Sequence, residues 1–441
     1  MTSVLPDLEA CQQVARSAPL GRRNGTLSQV VGLTVECRGL SVPLGGLCRI
    51  ELAEGGFLDA EVVGFRGKGT LLMPLGDAHG LCPGARVAPL DRRLQVSVSP
   101  ALLGRVLDGL GRPLDGGPPL PPGVDMPLHR HAPNPMSRLG IDEVLPTGVA
   151  VIDAFHTLGR GQRIGIFSGS GVGKSTLLAD ITRETLADVN VIALVGERGR
   201  EVRAFIEEAL GPDGMARSVL VVATSDAPPL QRIKAIFTAV AIAEYFRDQG
   251  RDVMLMCDSV TRLAAATREV GLALGEPPTV KGYPPSFFST MPKLVERLGR
   301  TAAGSITGIF TVLVDGDDMS DPVADTMRGL LDGHIVLSRR IANRGQFPAV
   351  SVLESTSRLM NRVVSGEHLA AAATARELLA AYEDARDLVS VGAYKPGSDP
   401  KVDRALRSIS DLEAFVCQDS GKGREFQDTV TRLLELGASS T

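Results

Sequence analysis

The 441-residue sequence has no tryptophan, and aromatic residues make up only 4% of it. Its six cysteines form no Cys-x-x-Cys pair and have no histidines at zinc-binding spacing. The absence of such pairs and spacings argues against a zinc module or a disulfide framework and is typical of reduced thiols. No apolar run reaches the roughly 18 residues of a membrane-spanning helix, and the N-terminus lacks the apolar core of a signal peptide. We therefore expect a soluble cytoplasmic protein.

The charge balance is slightly acidic, with 47 basic and 51 acidic residues and a net charge of −4. No global basic field is present to recruit nucleic acid or anionic lipid. The length allows two or three domains, and the 44% of hydrophobic residues is enough for sizeable cores. The sequence thus favours a multidomain protein without a nucleic-acid partner.

The pattern of residues changes along the chain. Residues 24–95 contain short β-prone runs broken by glycine turns, which is typical of a small β-barrel or sandwich. Residues 111–135 are proline-rich and read as a tether laid across the next domain. Residues 96–365 alternate apolar runs with helical patterns, which predicts a mainly parallel sheet. Residues 366–441 are helical and alanine-rich, and we predict a small helical domain there.

A glycine-rich stretch, IGIFSGSGVGKSTLL, occupies residues 164–178. It matches a phosphate-binding loop, except that Ser168 stands where the motif has its first glycine. Such a loop surrounds phosphate with backbone N–H groups at a helix N-terminus, while lysine and hydroxyl side chains contact phosphates and Mg²⁺. A glycine-rich turn without a ligand is the alternative. We predict a nucleotide site made by Gly169, Ser170, Gly171, Val172, Gly173, Lys174, Ser175 and Thr176.

Two acidic residues follow predicted strands, at the sheet edge where parallel α/β folds bind ligands. Asp258 ends the run VMLMCD, where a carboxylate can hold Mg²⁺ directly or through water. Glu197 follows VIALVG, where a carboxylate can orient and polarise an attacking water. Acids at strand ends also cap helices, but with the phosphate-binding loop these two form a set suited to nucleotide hydrolysis.

Longer stretches carry a resemblance to a known family. GLGRPLDGGPPL, RGQRIGIFSGSGVGKSTLL, VGERGREV, GEPPTVKGYPPSFFSTMPKLVERLG and NRGQFPAVSVLESTSRLM resemble the flagellar type III protein export ATPases. This family is related to the catalytic subunits of rotary ATP synthases and to virulence type III secretion ATPases. The resemblance covers roughly residues 25–420. It implies an α/β fold with a RecA-like P-loop NTPase core, an N-terminal β-barrel and a C-terminal helical domain.

The resemblance also implies roles for individual residues in the hydrolysis of ATP with Mg²⁺. Lys174 and Ser175 match the loop residues, Glu197 matches the general base, and Asp258 matches the acid of the metal strand. Further roles that rest on the resemblance alone are a γ-phosphate contact for Arg198, an arginine finger given to a neighbouring subunit for Arg358, and adenine stacking for Phe347. A plain core phenylalanine is the alternative for Phe347.

The partners follow from the same resemblance. It implies a homohexameric ring, regulatory and stalk proteins of the flagellar export apparatus, export substrates with their chaperones, and peripheral association with the inner-membrane export gate. Residues 1–23, with Leu5, Leu8 and Val14 beside a basic end, are predicted to dock on a regulatory partner and the membrane; a disordered tail is the alternative.

Three other functions compete with the flagellar one. A virulence secretion ATPase lies in the same class. A Rho-like RNA translocase would need a basic, aromatic platform near the N-terminus, whereas residues 24–93 contain only Phe57 and Phe65 as aromatics. A non-catalytic nucleotide-binding ring subunit is the third, and Glu197 argues against it.

Overall fold

The computed structural model describes residues 24–314 and 318–439, so the predicted docking segment 1–23 lies outside the described residues. Packing divides the chain into two units, with the boundary between Leu94 and Gln95.

The first unit is a closed barrel of six antiparallel strands in the order β1-β2-β5-β4-β3-β6, and pairing of β1 with β6 closes it. Alternate apolar side chains such as Leu27, Ile50 and Leu72 point inward and fill the barrel. The strands are β1 (Gly25–Val31), β2 (Thr34–Arg38), β3 (Gly46–Glu51), β4 (Phe57–Arg66), β5 (Gly69–Pro74) and β6 (Arg86–Arg93). The closed barrel decides between the two β architectures that the sequence allowed.

The second unit contains a nine-stranded sheet and a two-stranded ribbon. Apolar runs form the central strands, which are buried along nearly their whole length, as expected for a sheet covered on both faces. The strands of this unit are β7 (Gln95–Val98), β8 (Val106–Asp108), β9 (Val124–Pro127), β10 (Arg163–Ser168), β11 (Val189–Val195), β12 (Ser218–Ala223), β13 (Asp252–Asp258), β14 (Gly299–Arg300), β15 (Ser305–Leu313), β16 (Gly333–Leu337) and β17 (Thr356–Ser357).

The order of the sheet is β17-β16-β10-β15-β13-β11-β12-β8, with β14 paired to β15. The strands from β16 to β8 run parallel, and β14 and β17 are antiparallel additions. The predicted parallel sheet is therefore confirmed. The sequence did not predict β8, β14 and β17, because strands of two or three residues carry no periodic signal.

Helices connect the strands of the sheet. A π-helical turn, Phe205–Leu210, follows α3. The helices of the core are α1 (Ala150–Phe155), α2 (Lys174–Glu184), α3 (Gly199–Ala204), α4 (Gly211–Ala216), α5 (Pro229–Asp248), α6 (Val260–Ala273), α7 (Pro285–Val295), α8 (Pro322–Leu330), α9 (Arg339–Ala342) and α10 (Met360–Val363).

The predicted C-terminal helices are α11 (Gly366–Ser390), α12 (Pro400–Val416) and α13 (Phe426–Ser439). Ser365 caps α11, and Asp399 caps α12, which has a proline at its first position. Leu412, Phe415 and Leu433 are buried in the same hydrophobic cluster as the residues of the sheet. The helical segment and the sheet thus share one core.

The proline-rich segment lies against α5. Its strand β9 pairs with β7, and Leu128 is buried. The Leu128 carbonyl accepts a 2.7 Å hydrogen bond from Arg297, which also forms a buried bidentate pair with Glu244 of α5. Prolines exclude longer regular structure, so side chains of the sheet unit hold this segment instead.

Candidate nucleotide site

The loop between β10 and α2 has the backbone that a phosphate cradle requires. Gly171 and Gly173 have φ angles of +77° and +91°, in the left-handed region that favours glycine. Gly173 caps α2, and within the described part of the chain no side chain bonds to the first N–H groups of that helix. These groups and the positive end of the helix dipole therefore face the loop as an anion site.

Ser168 ends β10 and is buried, with 2% of its surface exposed. Its backbone carbonyl accepts a 3.0 Å hydrogen bond from the Val314 amide. Its hydroxyl has no hydrogen-bond partner among the described residues. Ser168 is therefore the last residue of the strand, and the glycine turn begins after it.

Three charged side chains meet at the carboxyl edge of the sheet. The ammonium group of Lys174 forms an ion pair with Asp258 at the end of β13 and lies 4.0 Å from a carboxylate oxygen of Glu197. Asp258 also accepts a 2.7 Å hydrogen bond from the Thr311 hydroxyl on β15. The structure thus brings together three of the residues that the sequence predicted.

The environment of Glu197 changes its acidity. Burial raises the pKa of Glu197 to about 7; the negative charges of Asp258 and Glu201 add to the rise, and Lys174 opposes it. A carboxyl with this pKa is ionised in part at neutral pH, where it can accept a proton from water.

Three other predicted residues lie outside the charged cluster. Arg198 precedes α3 and is 66% exposed at its side chain, where it lies 3.7 Å from Glu201. Ser175 and Thr176 are exposed on the first turn of α2, next to Lys174. The hydroxyls therefore lie beside the cradle, whereas the Arg198 guanidinium points to a surface carboxylate.

A pocket of about 460 Å³ opens beside the glycine loop. Gly173 and Thr176 line one side, and Phe347 and Pro348 line another. Phe347 is 47% exposed, which a core phenylalanine would not be, and its ring lies next to Gly173. A flat ligand that leaves the phosphate cradle on this side would meet the aromatic ring.

The structure places Arg358 at the amino-terminal end of the parallel strands, whereas the cradle lies at their carboxyl-terminal end. The Arg358 amide donates a 2.9 Å hydrogen bond to the carbonyl of Asp332, just before β16, and its side chain donates to the Arg328 carbonyl. Ser168 pairs with Leu337 at the other end of β16. At about 3.3 Å per residue, some 15 Å of strand separates Arg358 from the cradle of its own chain.

Sequence reasoning missed one wall of this pocket. Cys417, Gln418, Asp419 and Ser420, from the connection between α12 and α13, line it. The amide of Gln418 donates a 2.9 Å hydrogen bond to the Phe347 carbonyl. No motif marks these residues, and only the shared core of the helices and the sheet brings them to the pocket.

The comparisons with known proteins agree with this geometry. A family model described as the ATP synthase alpha/beta family, nucleotide-binding domain, matches residues 148–357, and one described as the T3SS EscN ATPase C-terminal domain matches residues 364–435. The chain is 51% identical over 418 residues to the flagellum-specific ATP synthase of Bacillus subtilis, covering 94% of this chain and 95% of that protein. The chain belongs to the ATP synthase alpha/beta family.

Members of this family from secretion systems are about as similar. The type 3 secretion system ATPase of Xanthomonas euvesicatoria is 49% identical over 95% of this chain and 95% of that protein. The solved structure of the assembled ATPase EscN from the type III secretion system of enteropathogenic E. coli has a TM-score of 0.89 and 42% identity, covering 94% of this chain and all of that one. This chain is a P-loop ATPase of the ATP synthase alpha/beta family.

The protein ligands at the carboxyl edge suit a divalent metal held mainly by a nucleotide. Among the described residues no group of three or more His, Cys, Asp or Glu side chains could hold a metal ion. Asp258 and Ser175 place side-chain oxygens beside the cradle, and Mg²⁺ commonly takes one or two carboxylates with phosphate oxygens and water. Among the helices within residues 24–314 and 318–439, none is long and apolar enough to cross a membrane.

Proposed function

We propose that this chain hydrolyses ATP with Mg²⁺ to energise protein export through the flagellar type III secretion apparatus during flagellum assembly. The observation that carries the catalytic part is the position of Glu197, with its raised pKa, 4.0 Å from Lys174 at the phosphate cradle. The export part is supported by the flagellum-specific relatives, including the one from Salmonella typhimurium at 49% identity.

In this proposal the loop residues position the triphosphate. Backbone N–H groups face the phosphates from residues of the loop: Gly169, Ser170, Gly171, Val172 and Gly173. Thr176 borders the pocket beside Phe347, which we call the base pocket because we propose that it takes the adenine. Lys174 leaves Asp258 for the β- and γ-phosphates. Asp258 and Ser175 would then hold Mg²⁺, which neutralises charge on the phosphate oxygens.

In this proposal Glu197 is the general base for ATP hydrolysis. It orients the attacking water and accepts its proton as the water oxygen bonds to the γ-phosphorus, while the bond from that phosphorus to the β–γ bridging oxygen breaks and ADP leaves. Arg198 must turn away from Glu201 to contact the γ-phosphate, which its exposure permits. Phe347 stacks on the adenine.

Arg358 completes the site of a neighbouring subunit. Because Arg358 and the cradle lie at opposite edges of one sheet, a head-to-tail contact between copies brings the arginine of one to the cradle of the next. A permanently charged guanidinium there stabilises the charge that develops on the transferred phosphoryl group. Head-to-tail contacts close into a ring when the rotation between copies permits it, and we propose a homohexamer.

Other partners are proposed from the relatives. One structure similar to this chain is of assembled EscN in complex with its central stalk EscO, at 42% identity and a TM-score of 0.87. We propose a stalk protein, a regulatory protein, and export substrates with their chaperones as partners of a cytoplasmic ring at the inner-membrane export gate. Residues 1–23 would dock on the regulatory partner and the membrane, ahead of a barrel domain (24–95), an ATPase domain (96–365) and a helical domain (366–441).

The experiment replaces the chromosomal gene with a Glu197→Gln allele and measures swimming motility and flagellin in the medium. Glu207→Gln is the matched control, because Glu207 is 56% exposed and pairs only with Arg203 in the described residues. We expect the Glu197→Gln strain to lose export while the control swims. Normal motility with loss of secretion into host cells would instead assign the chain to a virulence system.

A further inference from the structure

The wall of the base pocket from the α12–α13 connection is attached to the core at two points. The first attachment is Gln418. Its side-chain amide donates hydrogen bonds of 2.7 Å to the Gly148 carbonyl and 2.8 Å to the Lys422 carbonyl, and its oxygen accepts a 2.8 Å bond from the Ala150 amide. Gln418 therefore holds the beginning of the connection against the turn that leads into α1.

The second attachment is Asp180 on the phosphate-loop helix α2. One oxygen of this carboxylate accepts a 2.8 Å hydrogen bond from the Ser420 hydroxyl and a 3.0 Å bond from the Gly421 amide. Gly421 has a φ of +77°, which turns its amide toward α2 at little steric cost. Arg183 also donates to the same carboxylate. The Asp180 side chain is 16% exposed, so these bonds are partly shielded from water.

The position of Asp180 separates it from the phosphates. It lies six residues after Lys174 on the same helix, which is about 9 Å along the helix axis. Both Asp180 and Ser420 line the pocket that contains Phe347. A change at Asp180 should therefore alter the wall formed by the α12–α13 connection and leave the glycine loop in place.

We propose that Asp180 is a positioning residue for base recognition, because its bonds to Ser420 and Gly421 hold the connection whose residues 417–420 line the same pocket as Phe347. This inference rests on the proposed function, since it requires that the pocket take the base of a nucleotide. It links the phosphate-loop helix directly to the C-terminal helices, so occupancy of the base pocket and the position of those helices are coupled.

The test compares two ligands on the full-length protein by calorimetry. Mg·ATP carries a base, whereas Mg·tripolyphosphate engages only the phosphate cradle. Asp180→Ala removes the acceptor of both hydrogen bonds from the connection and of the bond from Arg183, and we expect its Kd for Mg·ATP to rise about tenfold. Its Kd for Mg·tripolyphosphate should match that of the wild type. In steady-state hydrolysis, the KM for ATP should rise while kcat is unchanged.

Two further variants sharpen the comparison. Asp180→Asn keeps an oxygen that accepts from both Ser420 and Gly421, so it should restore most of the ATP affinity. Ser420→Ala should weaken ATP binding less than Asp180→Ala and add little to it in the double variant, because the two residues act through one contact. Asp411→Ala, at an exposed position on α12, is the matched control and should bind both ligands normally.

Three results would decide against the inference. Unchanged ATP binding by Asp180→Ala would show that the wall does not depend on this carboxylate. Parallel loss of ATP and tripolyphosphate binding would show that the substitution damages α2 as a whole. Wild-type protein that binds neither ligand would overturn the proposed function itself, and the inference with it.

Discussion

The two ends of the nucleotide pocket are built in different ways. The phosphate end comes from consecutive residues at one strand–helix junction, with Glu197 and Asp258 added from two other strand ends. The base end is assembled from α2, the segment around Phe347, and the α12–α13 connection, which are far apart in sequence. The proposed chemistry thus rests on a local motif, whereas the pocket beside Phe347 depends on how the C-terminal helices pack.

This difference makes the two ends separable by substitution. Changes at the phosphate end should reduce turnover, and changes at the base end should reduce ATP affinity.

Glu197→Gln should lower kcat by about 10²–10⁴-fold, because general-base catalysis contributes a factor of this size. The neutral amide keeps the shape of the side chain, so Mg·ATP should bind nearly as in the wild type. Single-turnover hydrolysis and equilibrium binding on the same preparation measure the two quantities. Weakened binding with unchanged turnover would assign Glu197 a structural role.

The activity should depend on pH through Glu197. Because burial and the Asp258 charge raise its pKa to about 7, the carboxyl is protonated and inactive as a base below that pH. The value of kcat/KM should therefore rise as the pH rises through about 7, approaching tenfold per pH unit on the acidic side. Glu201→Gln removes a charge that raises this pKa, so it should move the midpoint to lower pH. A flat profile between pH 6 and 8, which spans the raised pKa of Glu197, would contradict the assignment.

Phe347→Ala should raise the Kd for Mg·ATP roughly tenfold, since loss of a base–aromatic stack costs about 1–3 kcal/mol. Binding of Mg·tripolyphosphate should be unchanged, and so should kcat. Phe65→Ala is the control, because Phe65 is also exposed but belongs to the barrel unit. Equal losses for the two ligands would remove Phe347 from the base end.

Ser168→Ala should have the smallest effect. The Ser168 hydroxyl is buried without a partner among the described residues, so its removal should change the free energy of unfolding by less than about 1 kcal/mol. Urea denaturation monitored by circular dichroism measures this, and ATP hydrolysis should continue at the wild-type rate. A large loss of turnover would show that the first position of the loop takes part in phosphate binding.

The same comparison explains what the sequence could predict. The strands β10, β11, β12, β13, β15 and β16 are apolar runs, so their existence follows from hydrophobicity. Their alternation with helical patterns predicts the parallel sheet. Lys174, Glu197 and Asp258 follow such runs, and the ends of parallel strands meet at one edge. Gln418, Asp180 and Ser420 follow no pattern of this kind. Their contacts arise from packing of helices across the shared core, which no local signal specifies.

Arg358 forms a third case, because no single chain brings it to the cradle. Its amide bonds to Asp332 at the amino end of β16, and the cradle lies at the carboxyl ends of the strands. The central claim of our account is that a second copy supplies this arginine. It predicts that hydrolysis requires contact between two copies of the chain.

The most direct test mixes two inactive variants, Glu197→Gln and Arg358→Ala, in equal amounts and measures ATP hydrolysis in purified assemblies shown to contain both. In random head-to-tail assemblies, about a quarter of the interfaces join an intact Glu197 to an intact Arg358. We therefore predict recovery of a substantial part of wild-type activity. The control replaces Arg358→Ala with the double variant, which regenerates no intact interface. Mixed assemblies as inactive as this control would contradict a site completed by a neighbouring subunit.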